Sequence, residues 1–190
     1  MSNVISNRIF NKSLSLDLYN RGVVFEECVF NGIDYGNKNM SEITFVECSF
    51  VECNFNMNDV HLTSFQNVLF EKCKLLGVNF SNCKQMLLEM KFLNSKLDYC
   101  VFQKLKMPRT EFVSCSLTDA DFFQTDLKGS KVINCDLLGA IFENTILQNA
   151  DLSSSHNYTI DPELNYIEGA KFSLSSLPGL LSRYRIKIED

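Results

Sequence analysis

From Phe25 to Leu152 an apolar residue returns at every fifth position, with a single change of phase. The first run is Phe25, Phe30, Tyr35, Met40, Phe45, Phe50, Phe55, Val60, Phe65, Phe70, Leu75 and Phe80. The second is Phe92, Leu97, Phe102, Met107, Phe112, Leu117, Phe122, Leu127, Val132, Leu137, Phe142, Leu147 and Leu152. In a chain that is 45% hydrophobic, random placement would fill all these positions with a probability of about two in a billion, so the spacing is a true repeat.

A period of five matches neither the 3.6 of a helix nor the 2 of a flat strand. It matches a chain that turns a corner every five residues. Four such sides close a square coil of about twenty residues, and coils stack at roughly 4.8 Å. Two residues before each large centre stands a small or β-branched one, such as Val23, Cys28, Cys48, Thr63, Cys100, Ala120 or Ala150. The large residue fills the axis and the small one lets the wall come close. The other three positions face water, which accounts for their Asp, Asn, Glu, Lys and Ser. Of the 16 Phe, all but Phe10, Phe123 and Phe172 occupy a centre, so stacked core explains them without a cofactor.

The eight cysteines are Cys28, Cys48, Cys53, Cys73, Cys83, Cys100, Cys115 and Cys135, and they fall at the small inward position. Three pairs lie twenty residues apart, one above the other, with side chains pointing the same way; that is poor geometry for a bridge. No zinc-type spacing occurs. The expectation is buried, reduced thiols and no metal. Between Phe80 and Phe92 the phase slips by two residues. Gln85 and Met90 are read as keeping the old phase before two residues are added, as a bulge or a small contact loop.

Both ends of a solenoid need covering. Residues 1–22 are read as an N-terminal cap with Ile5, Ile9 and Phe10 as its apolar contacts, 23–155 as the repeat, and 156–190 as a C-terminal cap. Within that cap Ser173–Tyr184 reads as a short helix, with Ser176 as N-cap before Pro178, and Arg185–Glu189 as a terminal strand. The first ten residues do not resemble a secretory signal, and no stretch has the length of a membrane span; a cytoplasmic protein is expected.

Catalytic material is sparse. The two histidines, His61 and His156, fall at outward and turn positions, and no nucleophile elbow, phosphate-binding glycine loop or zinc-protease motif occurs. Charge says more. Residues 1–110 carry a net charge of +1, residues 111–170 carry −8, and residues 171–190 carry +2. The acidic block includes Asp119, Asp121, Asp126, Asp136, Glu143 and Asp151 on outward positions. Such a surface repels phosphates and argues against direct nucleic-acid binding. A square β-helix has a width comparable to duplex DNA, so an acidic rod suits a site built for DNA. Leu177, Leu180, Leu181, Tyr184, Ile186 and Ile188 could join two such rods end to end. An interaction scaffold read on another face, around Lys72, Lys74 and Lys84, is the alternative.

Runs such as Cys115-Ser-Leu-Thr-Asp, Ala120-Asp-Phe-Phe-Gln and Ala150-Asp-Leu-Ser-Ser resemble the pentapeptide-repeat pattern, A(D/N)LXX. That resemblance implies an all-β solenoid, a right-handed quadrilateral β-helix, here with a short C-terminal helix and strand. The turn, helix and strand after the repeats, and the stretch Phe80–Met90, resemble the Qnr, MfpA and microcin-immunity group. The likeness implies a non-enzymatic DNA mimic without cofactors that binds DNA gyrase or topoisomerase IV, dimerises through its C-terminal cap and protects against quinolones or a peptide toxin. Unlike plasmid-borne Qnr proteins, this chain holds its phase on either side of the slip and so lacks their projecting loops.

Overall fold

The structure, a computed structural model, describes residues 3–11 and 22–189. It is a parallel β-solenoid whose coils stack in register. On one face β1 (Val4–Ser6), β3 (Val24–Glu26), β5 (Thr44–Val46) and β7 (Ser64–Gln66) form a four-stranded sheet. On the next, β2 (Ile9–Asn11), β4 (Val29–Asn31), β6 (Ser49–Val51), β8 (Val68–Glu71), β9 (Met90–Leu93), β10 (Glu111–Val113) and β11 (Lys131–Ile133) form a seven-stranded one. We call these the first and second faces. The third and fourth are held by single bridges such as Asn54↔Lys74 and Asp121↔Ile141.

Pairing over twenty residues puts Phe25 over Phe45 and Phe30 over Phe50, and the rings stack. Along the second face Phe10, Phe30, Phe50, Phe70, Phe92 and Phe112 follow one another at 4.8–5.2 Å. Neighbouring columns meet edge to face, as in Phe25–Phe30 at 81°. Both are the arrangements that aromatic quadrupoles favour.

Most corners are turned two residues after a centre, where φ is positive: Glu47, Met57, Lys104, Arg109 and Asn134 are examples. Among the described residues none with positive φ is Val, Ile or Thr, the types for which that conformation is most costly.

Two kinds of turn alternate around the coil. On the third and fourth faces the turn is tight, and the centre's carbonyl accepts from the N–H three residues on, as in Asn58 N–H to Phe55 and Thr125 N–H to Phe122. On the strand-bearing faces the turn is wider. On both kinds of turn a side chain from the following coil also donates to the centre's carbonyl, as Thr63 does to Met40 and Thr125 to Phe102 on tight ones. Cys53, Cys73, Ser95, Cys115, Cys135 and Ser155 donate in turn to the carbonyls of Phe30, Phe50, Phe70, Phe92, Phe112 and Val132. Cys28 and Cys48 do the same for Ile5 and Phe25. The small inward residues are therefore donors as well as spacers. All eight cysteines are free and buried, and burial pushes the Cys48 and Cys83 thiols up to about 12.

Several expectations need correction. Gln85 does not take the inward place of its phase; it is exposed, because its amide would find no partner among phenyl rings. Leu88 packs against the core instead, and Met90 is fully buried. The two extra residues are taken up in this bulge, after which pairing resumes at a spacing of twenty-two, with Phe70 over Phe92. At the N-terminus Ile5 and Phe10 pair with Phe25 and Phe30, so residues 3–11 are part of the ladder, while residues 12–21 lie outside those described. At the other end, bridges continue through Lys131↔Asp151↔Lys171. The terminal helix α1 is Pro178–Leu181, flanked by 3-10 turns, and its N-cap is Leu177 rather than Ser176, with Pro178 at the first helical position. Among the described residues no strand forms after β11. Arg185 turns away with φ 51°, and Ile186 and Ile188 stay exposed.

Candidate interaction surfaces

The six acids singled out from sequence are not brought onto one face. The bridge ladders place Asp126 on the first face, Asp151 on the second, Asp136 on the third and Asp121 on the fourth. Asp119 stands at the corner between the third and fourth, and Glu143 lies on the fourth. Together they form a girdle around the C-terminal half of the rod.

Most of these carboxylates have a second duty. The residue before a centre accepts from the backbone N–H two positions on: Asp121 from Phe123 at 2.9 Å, Asp126 from Lys128 at 2.9 Å, Asp136 from Leu138 at 3.2 Å and Asp151 from Ser153 at 3.1 Å. Asn39, Asn54 and Asn79 do the same in earlier coils. This is the Asx turn, which an amide supports as well as a carboxylate. The turn requires the acceptor and leaves the charge optional.

The acids are not equally free. On the second face Lys91, Glu111, Lys131, Asp151 and Lys171 alternate in sign from coil to coil. Lys131 meets Glu111 at 2.9 Å and Lys171 meets Asp151 at 3.7 Å. The Lys131 hydrogen bond holds Glu111 below the usual carboxylate range. The Ser153 hydroxyl does the same for Asp151, with Lys171 adding to it. In the C-terminal cap Arg183 reaches both Asp161, at 3.2 Å, and Glu163, at 2.7 Å. The remaining acidity lies mainly on the third and fourth faces, where Asp98, Asp119, Asp121, Asp136 and Glu143 stand.

Of the six cap residues named for a dimer, Leu180 is buried under its own coil and Leu181 is half-buried, whereas Leu177, Tyr184, Ile186 and Ile188 are exposed. The alternative lysines are dispersed: Lys84 lies on the first face, Lys74 on the third, and Lys72 at a corner beside Glu52.

Sequence reading passed over the apolar residues at outward positions. Tyr99 (57% exposed), Leu138 (56%) and Ile141 (47%) stand along the edge between the third and fourth faces, with half-buried Phe123 at the far side of the fourth face. Their signal was available, since each breaks the polar pattern of its position. A second exposed apolar point is the bulge, where Met86 (77%) and Leu87 (69%) project. Open grooves of about 320 and 180 Å³ flank it. Among the described residues no group of three His, Cys, Asp or Glu is placed to hold a metal, and no helix is long and apolar enough to cross a membrane.

A family model described as the SV2A/B/C luminal domain matches residues 77–142. No curated protein sequence matches the chain. QnrB1, a plasmid-mediated fluoroquinolone resistance protein, aligns over 97% of this chain and all of its own, at 18% identity and a TM-score of 0.47. HetL, a pentapeptide repeat protein involved in heterocyst differentiation regulation from the cyanobacterium Nostoc sp. strain PCC 7120, aligns over 89% of this chain and 70% of its own. Its identity is 14% and its TM-score 0.66. With the five-residue repeat, the stacked centres and the four-sided coil, this likeness gives the chain the fold of the pentapeptide-repeat proteins.

Proposed function

We propose that this protein is a non-enzymatic rod that occupies the DNA-binding cleft of a bacterial type II topoisomerase, DNA gyrase or topoisomerase IV. The observation that carries this reading is the acidic girdle: residues 111–170 hold a net charge of −8, and their outward carboxylates stand on all four faces. Duplex DNA likewise presents charge all round a stiff rod, one per roughly 1.7 Å of axis. A cleft built to surround DNA would meet carboxylates around the rod, with the least neutralised ones on the third and fourth faces. Two copies joined through the exposed Leu177, Tyr184, Ile186 and Ile188 would double the length of rod; sedimentation showing only monomer would remove that part.

Protection from quinolones or from a peptide toxin belongs to the same reading, because a rod seated in the cleft competes with the DNA complex that such poisons trap. The test is gyrase supercoiling and topoisomerase IV decatenation with increasing purified protein, with and without a quinolone. Inhibition, or rescue from the drug, at micromolar protein or below is expected, and the effect should weaken as ionic strength rises. Neither enzyme responding in either arm would reject the topoisomerase reading and leave an interaction scaffold with another partner.

A further inference from the structure

We infer that the edge between the third and fourth faces is the part of this rod that distinguishes a protein partner from a generic basic surface. It is an apolar strip set among carboxylates, fitted to a partner surface in which lysines or arginines surround an apolar hollow. The inference rests on the topoisomerase reading above and deepens it, by naming the contact that charge alone does not supply.

The strip is built by stacking. Tyr99 N–H donates to Thr118 and Asp119 N–H to Leu138, so the corner residues Tyr99 and Asp119 occupy successive coils with Leu138 beside the next. Ile141 lies directly below Asp121 through their bridge. Phe123 follows Asp121, whose carboxylate accepts its N–H. Gln124 N–H donates to Glu143, setting Glu143 one coil below Phe123. Each apolar side chain thus has a carboxylate in an adjacent coil or at an adjacent position. The surface is also flat at its corner, because Gly139 has no Cβ and the Asp119 carboxylate lies over it; a Cβ there would collide with that carboxylate.

Side chains of this kind are seldom left in water in such a grouping without a use. Single exposed apolar residues are unremarkable, but three on one edge within three successive coils, rimmed by charge, mark a contact surface. Charge complementarity selects the occupant. The nearby acids, Asp98, Asp119, Asp121 and Glu143, would repel an acidic segment or nucleic acid and attract a basic one. The two components act differently with salt. Carboxylates attract over a distance that shrinks to about 8 Å at physiological ionic strength, whereas burial of Tyr99, Leu138 and Ile141 is insensitive to salt of this concentration.

The experiment is gyrase binding by the full-length protein across a salt series, comparing wild type with the triple variant Tyr99→Ser, Leu138→Ser, Ile141→Ser. A matched control replaces Met86 and Leu87 by Ser on the bulge, an equally exposed apolar point away from the edge. Circular dichroism and melting temperature check the fold of each. The edge variant is expected to bind at least 10-fold more weakly at every salt concentration, with the slope of log affinity against log salt unchanged, and the bulge variant to bind as wild type. Wild-type binding with an edge variant of equal affinity overturns the inference and leaves the topoisomerase reading standing. Equal loss in both variants overturns it too, by showing no preference for the edge. No binding by wild type overturns both.

Discussion

The first face differs on the two sides of the bulge. Above it, Phe25, Phe45 and Phe65 centre wide turns, and the backbone forms the sheet β1, β3, β5 and β7. Below it, Met107, Leu127 and Leu147 centre tight turns joined by single bridges, Lys106↔Asp126↔Ile146. The second face shows no such break, and its sheet runs through from β2 to β11. Aromatic rings on the fourth face begin where those of the first end: Phe80, Phe102, Phe122 and Phe142 stack at 5.1–5.2 Å. The two extra residues sit where one side of the square changes its turn type while the adjoining side changes its filling. The two residues leave the stack at this exchange, and pairing resumes beyond it at a spacing of twenty-two. The bulge is the site of that exchange.

The largest effect should come from removing it. Deletion of Leu88 and Glu89 restores an uninterrupted period of five, but places Gln85 at a centre and takes away the Leu88 contact. Burying an unpaired amide costs about 1–3 kcal/mol and losing a leucine contact adds about 2. Urea unfolding should therefore show a loss of roughly 3–5 kcal/mol, most of it recovered when Gln85→Leu is added to the deletion. A deletion as stable as wild type would mean that the bulge has no part in matching the two halves.

A smaller effect concerns the side-chain donors on both kinds of turn. Cys73 donates to Phe50 at 3.3 Å on a wide turn, where that carbonyl also lies in the β6–β8 ladder. Cys100 donates to Leu75 at 3.0 Å on a tight one, where the Val78 N–H also serves that carbonyl. Each acceptor keeps a backbone partner, so Cys73→Ala and Cys100→Ala should each cost about 1 kcal/mol, the net worth of one hydrogen bond. Cys73→Ser, which keeps a donor, should recover most of its loss. Thermal melts of the three variants decide this, and no cost for either alanine variant would mean that the side-chain donors are incidental.

The smallest concerns pH. The hydrogen bond from Lys131 lowers the Glu111 pKa in the folded state, so its contribution to stability is present above the unfolded carboxylate value. That contribution is lost as pH falls through the lowered folded value. Lys131 is exposed and Glu111 about a third exposed, so salt should shrink the effect. Stability measured from pH 7 down to pH 3 should fall less for Glu111→Gln than for wild type; parallel curves would show that the pair is silent.

The coil, its centres and the burial of the cysteines were legible in the sequence because one five-residue period governs them all. What escaped was the consequence of polar atoms. The period makes no distinction between Gln85 and a leucine, so the fate of that side chain depended on the cost of burying an amide. Nor does the small-residue rule reveal that the inward Cys, Ser and Thr also donate to the carbonyl of a centre in the preceding coil. The acids were identified correctly as outward-facing, yet their spread over four faces follows from coil geometry, and their capping duty from the N–H two residues on. Tyr99, Leu138 and Ile141 could have been read from their breach of the polar pattern. Their grouping required the stack.

Charge and capping coincide in Asp121, Asp126, Asp136 and Asp151, and asparagine separates them. The quadruple Asp→Asn variant keeps the acceptor of each Asx turn while removing four negative charges, giving up the Gln103 bond to Asp121 and the Lys171 pair with Asp151, so its melting temperature should stay within a few degrees of wild type. Its affinity for gyrase, measured at low and physiological salt, should fall at least 10-fold, with a shallower dependence on salt. A folded variant that binds gyrase as tightly as wild type, with the same salt slope, would contradict the claim that this girdle stands in for DNA.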